Sequence, residues 1–216
     1  MGVSYNRLWK MLIDKNMKRI EMQYLTGISG NILARMGKNQ YVSMETIEKI
    51  CKKLDCTVDK ILLTHGHFDH IGGVAAVKAA TGAKVVISAE DAPMLTSSRK
   101  SLAAFSFLSQ APAQADILVQ DGDTVTLGNT VFTVLATPGH TPGGVCYITE
   151  HCIFSGDTLF FCSCGRTDFP GGSSREIMDS LQKLAALPGD YTVYPGHDRF
   201  STLNFERQHN PYMKKL

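Results

Sequence analysis

The first sixty residues show the apolar spacing of short helices and no alternation typical of strands. Apolar side chains recur at positions 8, 9, 12 and 13, which places them on one helical face. Gly27 and Gly37 stand where helices would end, and Ser29 and Ser43 stand where N-terminal caps are expected. The pattern therefore predicts four helices, around residues 8–13, 18–26, 29–36 and 43–54.

Beyond Lys60 the pattern changes to short apolar runs separated by turns and by helical segments. The runs ILLTHG, KVVISA, TVTLGNTVFTVLATPG, VCYITEHCIFSGD and YTVYPGHD predict strands. AAVKAATG and SREIMDSLQKLAAL predict helices, the second with an amphipathic pattern. Alternation of strands and helices indicates an α/β architecture for this part of the chain.

The charge of the chain changes at the same position as the hydrophobic pattern. Residues 1–60 hold 11 Lys and Arg against 6 Asp and Glu, a net charge of +5. Residues 61–216 hold 11 against 14, a net charge of −3. A basic helical segment followed by an acidic α/β segment predicts two domains, residues 1–60 and 61–216. It also makes nucleic acid a candidate partner of the first.

Composition narrows the class of protein further. No apolar run approaches the roughly 20 residues needed to span a bilayer, and the charged N-terminus lacks the apolar core of a signal peptide. Six cysteines in 216 residues are too few for a disulfide scaffold. We therefore expect a cytoplasmic protein with free thiols and no membrane partner.

Three of the seven histidines lie close together in the stretch THGHFDHIGG. His65 and His67 follow a predicted strand, so their side chains can converge on one point, while Asp69 and His70 can turn toward a neighbouring point. Imidazole nitrogens and carboxylate oxygens suit Zn²⁺, Fe²⁺ or Mn²⁺. This cluster supplies four ligands, so two complete metal sites need further donors from elsewhere in the chain.

The further donors follow other predicted strands and stand beside glycines. They are His140 in TPGHTPGG, Asp157 in SGDTLF and His197 in YPGHD. Glycine permits the tight turns and close backbone approach that such loops require. One such histidine alone is more often structural, but five of seven histidines and two aspartates at strand ends indicate a metal site.

In this order and spacing, these motifs resemble those of the metallo-β-lactamase-fold hydrolases, and CGRTDFPGG (Cys164–Gly172) resembles the glyoxalase II-like branch. The resemblance covers about Ile61–Leu216 and implies a metallo-β-lactamase-like αββα sandwich. It also implies two divalent metal ions, with zinc favoured over iron and manganese. It assigns the ligands as follows: His65, His67 and His140 to one ion, Asp69, His70 and His197 to the other, and Asp157 to both.

The resemblance further implies an enzyme. The expected activity is that of a metal-dependent thioesterase of the hydroxyacylglutathione hydrolase type, which cleaves a small-molecule thioester through a metal-bound hydroxide. Asp69 and Asp157 are the expected catalytic carboxylates, and Asp69 would orient the nucleophile. Arg166, in CGRTDFPGG, is the expected contact for an anionic part of the substrate, with a structural salt bridge as the alternative.

Residues of about 4–60 resemble a phage-repressor-like helix-turn-helix domain, through the stretch YLTGISGNILARMGKNQYVSMETIEKICKKLDC. The resemblance places five residues at DNA: Ser29, Asn31 and Arg35 at base edges, and Lys38 and Asn39 near phosphate. A small helical bundle that binds protein is the alternative. Such domains usually work as dimers on two half-sites, so a homodimer is an open alternative for the whole chain.

The glyoxalase II-like fold normally has several strands before its THGHFDH motif, and here predicted helices occupy that place. We therefore expect the α/β domain to lack these strands, with an unpaired sheet edge and with stability and catalysis impaired. Two other functions stay open. One is a DNA-binding regulator whose metal domain senses a ligand, and the other is a persulfide dioxygenase with a single iron ion.

Overall fold

The computed structural model describes residues 5–38, 40, 42–56, 58–107, 109–128 and 130–214. The chain divides into two compact units, one of Lys60–Ala76 with Lys84–Leu216 and one of Gly2–Asp59 with Val77–Ala83. None of the described helices is long and apolar enough to cross a bilayer. The domain boundary between residues 60 and 61 stays a prediction.

The helical unit contains the four helices that the sequence predicts: α1 Asn6–Asp14, α2 Arg19–Thr26, α3 Gly30–Gly37 and α4 Met44–Leu54. Ser29 and Ser43 cap α3 and α4, because each side chain accepts a hydrogen bond of 3.3 Å from a backbone N–H three residues later. Gly27 ends α2 at φ +69°, a left-handed conformation that costs glycine little.

The core of this unit collects the apolar positions that define the helical pattern. Leu12, Met22 and Met36 are at most 1% exposed, so one buried residue from each of the first three helices meets the others. Ile50 and Leu54 add the apolar face of α4. The 3.6-residue period of the sequence is therefore used to build this core.

The α/β unit begins with a parallel three-stranded sheet. Its strands are β1 Lys60–Leu62, β2 Lys84–Ser88 and β3 Ile117–Val119, in the order β1-β2-β3. Two helices follow β1 along the chain, α5 Phe68–Ile71 and α6 Val74–Thr81, and single turns of 3₁₀ helix follow β2 at Ala92–Leu95 and Ala103–Phe105. Parallel pairing requires such crossover connections.

A mostly antiparallel six-stranded sheet forms the second half of the unit, in the order β11-β10-β7-β6-β5-β4. Its strands are β4 Thr124–Leu127, β5 Thr130–Ala136, β6 Val145–Ile148, β7 Cys152–Gly156, β10 Thr192–Pro195 and β11 Ser201–Thr202. The remaining elements are the hairpin β8 Leu159–Phe160 with β9 Ser163–Cys164, and helices α7 Ser174–Ala185 and α8 Leu203–His209.

The two sheets pack face to face, with helices outside. Val86 of the first sheet shares a buried cluster with Val134 and Tyr147 of the second. On the opposite face of the second sheet, Cys146 packs with Leu181 of α7. Alternate residues of each strand therefore face different layers. The result is the αββα sandwich that the sequence predicts.

Strand β1 has one strand neighbour among the described residues, because only β2 pairs with it. The described residues before Lys60 lie in helices and loops, not in strands. All three residues of β1 are only half buried, whereas Val85, Val86 and Ile87 of β2 are fully buried. The sandwich thus lacks strands before β1 in the described part of the chain, as the sequence predicts.

Candidate metal centre

The fold brings together all seven side chains that the sequence predicts as metal ligands. Each lies just beyond a strand or in the short helix that follows one: His65 and His67 after β1, Asp69 and His70 in α5, His140 after β5, Asp157 after β7, and His197 after β10. In three groups of these residues, one donor atom per residue lies within 4.8 Å of the others. The groups are His65, His67 and His140; His65, His70 and Asp157; and Asp69, His70 and His197.

The first group is buried. His67 Nδ1 lies 2.9 Å from His140 Nε2, and all three residues of the group are at most 6% exposed. His140 Nδ1 lies 2.7 Å from the carbonyl oxygen of Arg166. Because a carbonyl can only accept, Nδ1 carries the proton and Nε2 keeps its lone pair for a ligand.

The second group lies beside the first and is more exposed. His197 Nε2 is 3.1 Å from Asp69 Oδ2 and 3.2 Å from His70 Nε2. Asp157 stands between the groups, since its Oδ2 lies 3.5 Å from His140 Nε2 and its Oδ1 lies 3.4 Å from His70 Nε2. One carboxylate therefore faces both groups of donors.

The pKa values of His65, His67 and His70 are shifted from the usual value, and not all in the same direction. Burial and the neighbouring histidines hold the pKa of His65 well below its usual value, and burial with His140 lowers the pKa of His67 to about 4. Both rings are therefore neutral near pH 7, the form that binds a metal ion. Burial alone would lower the pKa of His70, but the hydrogen bond and charge of Asp157 outweigh it and raise that pKa.

The donors fit divalent metal ions. His65 Nε2 is buried and has no hydrogen-bond partner among the described residues. Burial of such an atom lowers the free energy of unfolding by about 1–3 kcal/mol unless a hydrogen-bond donor or a metal ion pairs with it. A set of imidazole nitrogens and carboxylate oxygens, without thiolates, suits Zn²⁺, Fe²⁺ or Mn²⁺. The ligand assignment to individual ions stays a prediction.

Asp91 is a residue of this centre that the sequence analysis missed. It is fully buried and follows β2, and its carboxylate accepts three hydrogen bonds. The donors are the N–H of Gly66 at 3.0 Å, the hydroxyl of Thr141 at 2.7 Å and the N–H of Gly143 at 2.8 Å. Gly66 separates His65 from His67, and Thr141 follows His140. Asp91 therefore joins the two loops that carry the first group. Its position at a strand end was the available signal.

A cavity of about 500 Å³ lies over the donors. Apart from the donors, its lining includes Phe68, Leu102, Phe160, Phe169 and Arg166. It also includes the small polar residues Ser163 and Cys164. The donors thus form one part of a concave, largely apolar site of the size that takes a small molecule.

Arg166 lines this cavity but is paired within the chain. Its Nε and Nη2 donate to the two carboxylate oxygens of Asp168 at 2.6 and 2.5 Å, and its guanidinium carbon lies 4.0 Å from the centre of the Phe169 ring. The salt bridge that the sequence left as an alternative is therefore present. A contact between Arg166 and an anionic substrate stays a prediction.

The residues predicted to approach DNA lie on or beside α3. Ser29 caps the helix, Asn31 and Arg35 are exposed on it, and Lys38 is exposed at its C-terminal end. Asn39 lies outside the described residues. An exposed α3 preceded by a tight turn has the arrangement of a recognition helix. DNA contact by these residues stays a prediction.

Comparison with known families identifies both parts of the chain. The sequence pattern of the metallo-beta-lactamase superfamily matches residues 49–197, more than half of the chain. The chain belongs to the metallo-beta-lactamase superfamily. The pattern of the Cro/C1-type HTH DNA-binding domain matches residues 7–63, so this hydrolase-superfamily chain also carries a helix-turn-helix domain. The two matches overlap over residues 49–63, which contain the end of α4 and β1.

Relatives of this superfamily chain include proteins with and without an assigned activity. An uncharacterized protein of Mycobacterium leprae is 35% identical over 184 residues, covering 81% of this chain and 84% of its own. The hydroxyacylglutathione hydrolase of Pseudomonas entomophila is 39% identical over 164 residues, covering 74% of this chain. The match covers 55% of that enzyme, so this chain spans about half of its length.

Solved structures of the superfamily resemble the α/β unit. A B3 metallo-beta-lactamase, BLEG-1, superposes with a TM-score of 0.71 at 35% identity, over 78% of this chain and 83% of its own. TTHA1623 in a di-iron-bound form superposes with a TM-score of 0.69 at 32% identity, and the match covers 79% of this chain and 85% of TTHA1623. ETHE1 from Myxococcus xanthus superposes with a TM-score of 0.62 at 35% identity, and the match covers 78% of this chain and 68% of ETHE1. Members of the superfamily bind divalent metal ions, and the histidine cluster is the candidate place for them here.

Proposed function

We propose that this chain is a metal-dependent thioesterase of the glyoxalase II-like type, with two divalent ions at the candidate centre. The observation that carries the proposal is the position of Asp157. Its two carboxylate oxygens lie 3.5 Å from His140 Nε2 and 3.4 Å from His70 Nε2, so this one carboxylate faces both donor groups and could serve an ion in each. The match to hydroxyacylglutathione hydrolases supports thioesters as the substrate class.

The residues of the centre then have distinct roles in hydrolysis. Two divalent ions bound there would lower the pKa of a water molecule and polarise the substrate carbonyl. Asp69 lines the cavity and is 39% exposed, so it can accept a hydrogen bond from the attacking water and orient it. Water adds to the acyl carbon, the carbon–sulfur bond breaks, and the products are a carboxylic acid and a thiol. No serine or cysteine nucleophile is required.

The identity of the ions is part of the proposal. Nitrogen-rich sites with carboxylates favour zinc, and we propose zinc as the first candidate. The likeness to TTHA1623 in a di-iron-bound form supports iron as the alternative. Manganese also suits the same donors.

The test combines metal analysis with thioester hydrolysis on the purified full chain. We expect about two divalent ions per chain and hydrolysis of S-lactoylglutathione or a simpler acyl thioester. His140→Ala should lose at least one ion and lower the rate by about 100-fold or more. His151→Ala is the matched control, because His151 is an exposed histidine that contributes to none of the donor groups. Near-zero metal in soluble protein, or equal activity of the two variants, would disprove the proposal.

A persulfide dioxygenase with a single iron ion is the second enzymatic candidate, and the GRTDF stretch at residues 165–169, which resembles that of persulfide dioxygenases, supports it. The second donor group argues for two ions instead, because Asp69, His70 and His197 come together beside the first group. One iron ion per chain, with oxygen consumption on a persulfide and no thioester hydrolysis, would favour the dioxygenase.

A further inference from the structure

The wall of the cavity is apolar on both sides of the donors. The Phe169 ring lies 5.6 Å from the ring of His67 in the first group, and the Phe160 ring lies 6.1 Å from the ring of His197 in the second. Phe68 and Leu102 add further apolar surface to the lining. A substrate that reaches the donors must therefore place its flanking groups against aromatic and aliphatic side chains.

The same wall offers little positive charge. Apart from histidines, Arg166 is the one basic residue among the cavity residues that the structure describes. The edge of its guanidinium formed by Nε and Nη2 donates to both carboxylate oxygens of Asp168, and one face of the group lies over Phe169. The pKa of Asp168 is lowered to about 2, mainly by its hydrogen bond to Arg166, so this partner is ionised throughout the neutral range. A bidentate pair of this kind holds its geometry better than an ordinary surface pair.

A carboxylate on the substrate would thus meet an arginine that is already neutralised. It would have to displace Asp168 from Arg166 or remain close to the charge of Asp168. Arg166 and Asp168 have side chains 57% and 64% exposed, so water screens both the attraction and the repulsion. The charges therefore make the cavity prefer an uncharged substrate over a carboxylate-bearing one. The affinity itself comes from burial of apolar groups against Phe68, Leu102, Phe160 and Phe169.

From these contacts we infer that the substrate is an uncharged thioester with an apolar acyl or thiol group, rather than a thioester of a carrier rich in carboxylates such as glutathione. This inference rests on the proposed thioesterase function. The apolar group packs between Phe160 and Phe169 over the donors, with Leu102 at its side. Hydrolysis then releases an apolar carboxylic acid or an apolar thiol.

Binding of thioethers tests the inference without hydrolysis. S-hexyl-N-acetylcysteamine and S-hexylglutathione carry the same apolar chain, and neither can be hydrolysed. On the metal-loaded full chain, calorimetry should show about tenfold tighter binding of the uncharged compound. Tighter or equal binding of the glutathione compound, or no binding of either, would overturn the inference. The thioesterase proposal would survive each of these results if hydrolysis of any thioester is observed.

Two variants identify the residues responsible. Asp168→Asn frees Arg166, so the affinity for S-hexylglutathione should rise about three- to tenfold while that for the uncharged thioether stays within about twofold. Glu150→Gln removes one negative charge at an exposed site outside the cavity and should change neither affinity. Leu102→Ala should weaken binding of the uncharged thioether about fivefold. No change in Asp168→Asn, with the fold intact by circular dichroism, would contradict the role given to the salt bridge.

Discussion

Asp91 connects the two loops that carry the first group of histidines through one buried carboxylate. Its donors come from two loops, the one containing Gly66 and the one containing Thr141 and Gly143. Burial raises the pKa of Asp91, although the three hydrogen bonds act in the opposite direction. Such a carboxylate is kept only where its hydrogen bonds compensate for the loss of water. We therefore regard Asp91 as a positioning residue of the metal centre.

Asp91→Asn should weaken both metal binding and the fold. The amide has one acceptor oxygen in place of two, and its NH₂ group would face a donor. We expect a loss of about 1–3 kcal/mol in the free energy of unfolding and about 10- to 100-fold weaker binding of one ion. Excess zinc should restore the second ion per chain, which a purely structural defect would not allow.

Asp123→Asn is the matched control for this change. Asp123 also accepts a backbone hydrogen bond, at 2.9 Å from Gln120 N, but in an exposed turn remote from the donor groups. It should keep both ions. Equal metal affinity of Asp91→Asn and Asp123→Asn would show that Asp91 does not position the metal-binding histidines.

Residues in local motifs were predictable, and residues joined across the fold were not. The seven candidate ligands each follow a strand within a short glycine-containing motif, so position and chemistry can be read together. Asp91 contacts Gly66 and Thr141 at sequence separations of 25 and 50 residues. A single sequence contains no signal for those contacts, because they depend on how the two loops pack. Arg166 illustrates the same limit, since its motif suggested two partners and geometry shows one of them.

At the scale of elements, helix α7 positions the loop that carries His140. Ser173 N donates to Gly139 O at 2.8 Å, and the Ser180 hydroxyl donates to Pro138 O at 2.7 Å. Gly139 has φ +131°, and a Cβ there would lie 2.3 Å from Ile177 N. The helix backbone therefore approaches the loop so closely that only glycine fits.

Gly139→Ala should separate the loop from α7 and disturb His140. The change combines a strained φ with a backbone clash, so we expect a loss of about 3 kcal/mol or more in the free energy of unfolding. Metal content should fall with it. Urea unfolding and elemental analysis measure the two effects.

Gly122→Ala is the matched control, because it introduces backbone strain without a steric clash. Gly122 has φ +82°, but a Cβ there would meet no atom within 4 Å. We expect a loss of only about 1–2 kcal/mol from the backbone conformation, with both ions retained. If the two alanine variants lose equal stability and equal metal, close packing of α7 is not what positions the His140 loop.

The longer helices could be predicted from the sequence, and some of the shortest elements could not. All four N-terminal helices were predicted from their apolar spacing, supported by Gly27 at the end of α2 and by the serine caps of α3 and α4. The short helix α5 and the hairpin of β8 and β9 were not predicted, because four-residue and two-residue elements have too few positions for a periodic signal. Strand β1 ends at Leu62, earlier than the apolar run suggests, since the chain turns there to present His65 and His67.

At the scale of the whole molecule, one segment satisfies two sequence patterns. Residues 49–63 belong to both family matches, and they include the last turn of α4 and all of β1. The same residues therefore end the helical region and begin the strand that leads to the donors. A direct connection of this kind explains why the composition of the chain changes without a linker at residue 60.

DNA binding and the metal centre should nevertheless act independently under our proposal. The full chain should bind a 30-base-pair duplex of random sequence weakly, and the affinity should fall steeply as salt rises, because phosphate contacts release counterions. Lys38→Ala, at a residue predicted to lie near phosphate, should weaken this binding and reduce the salt slope by about one. Lys10→Ala, an exposed change on α1 outside the predicted DNA contacts, should leave the slope nearly unchanged. Removal of metal with a chelator should leave the affinity within about twofold. A larger change on chelation would instead support the regulator, in which occupancy of the metal centre controls DNA binding.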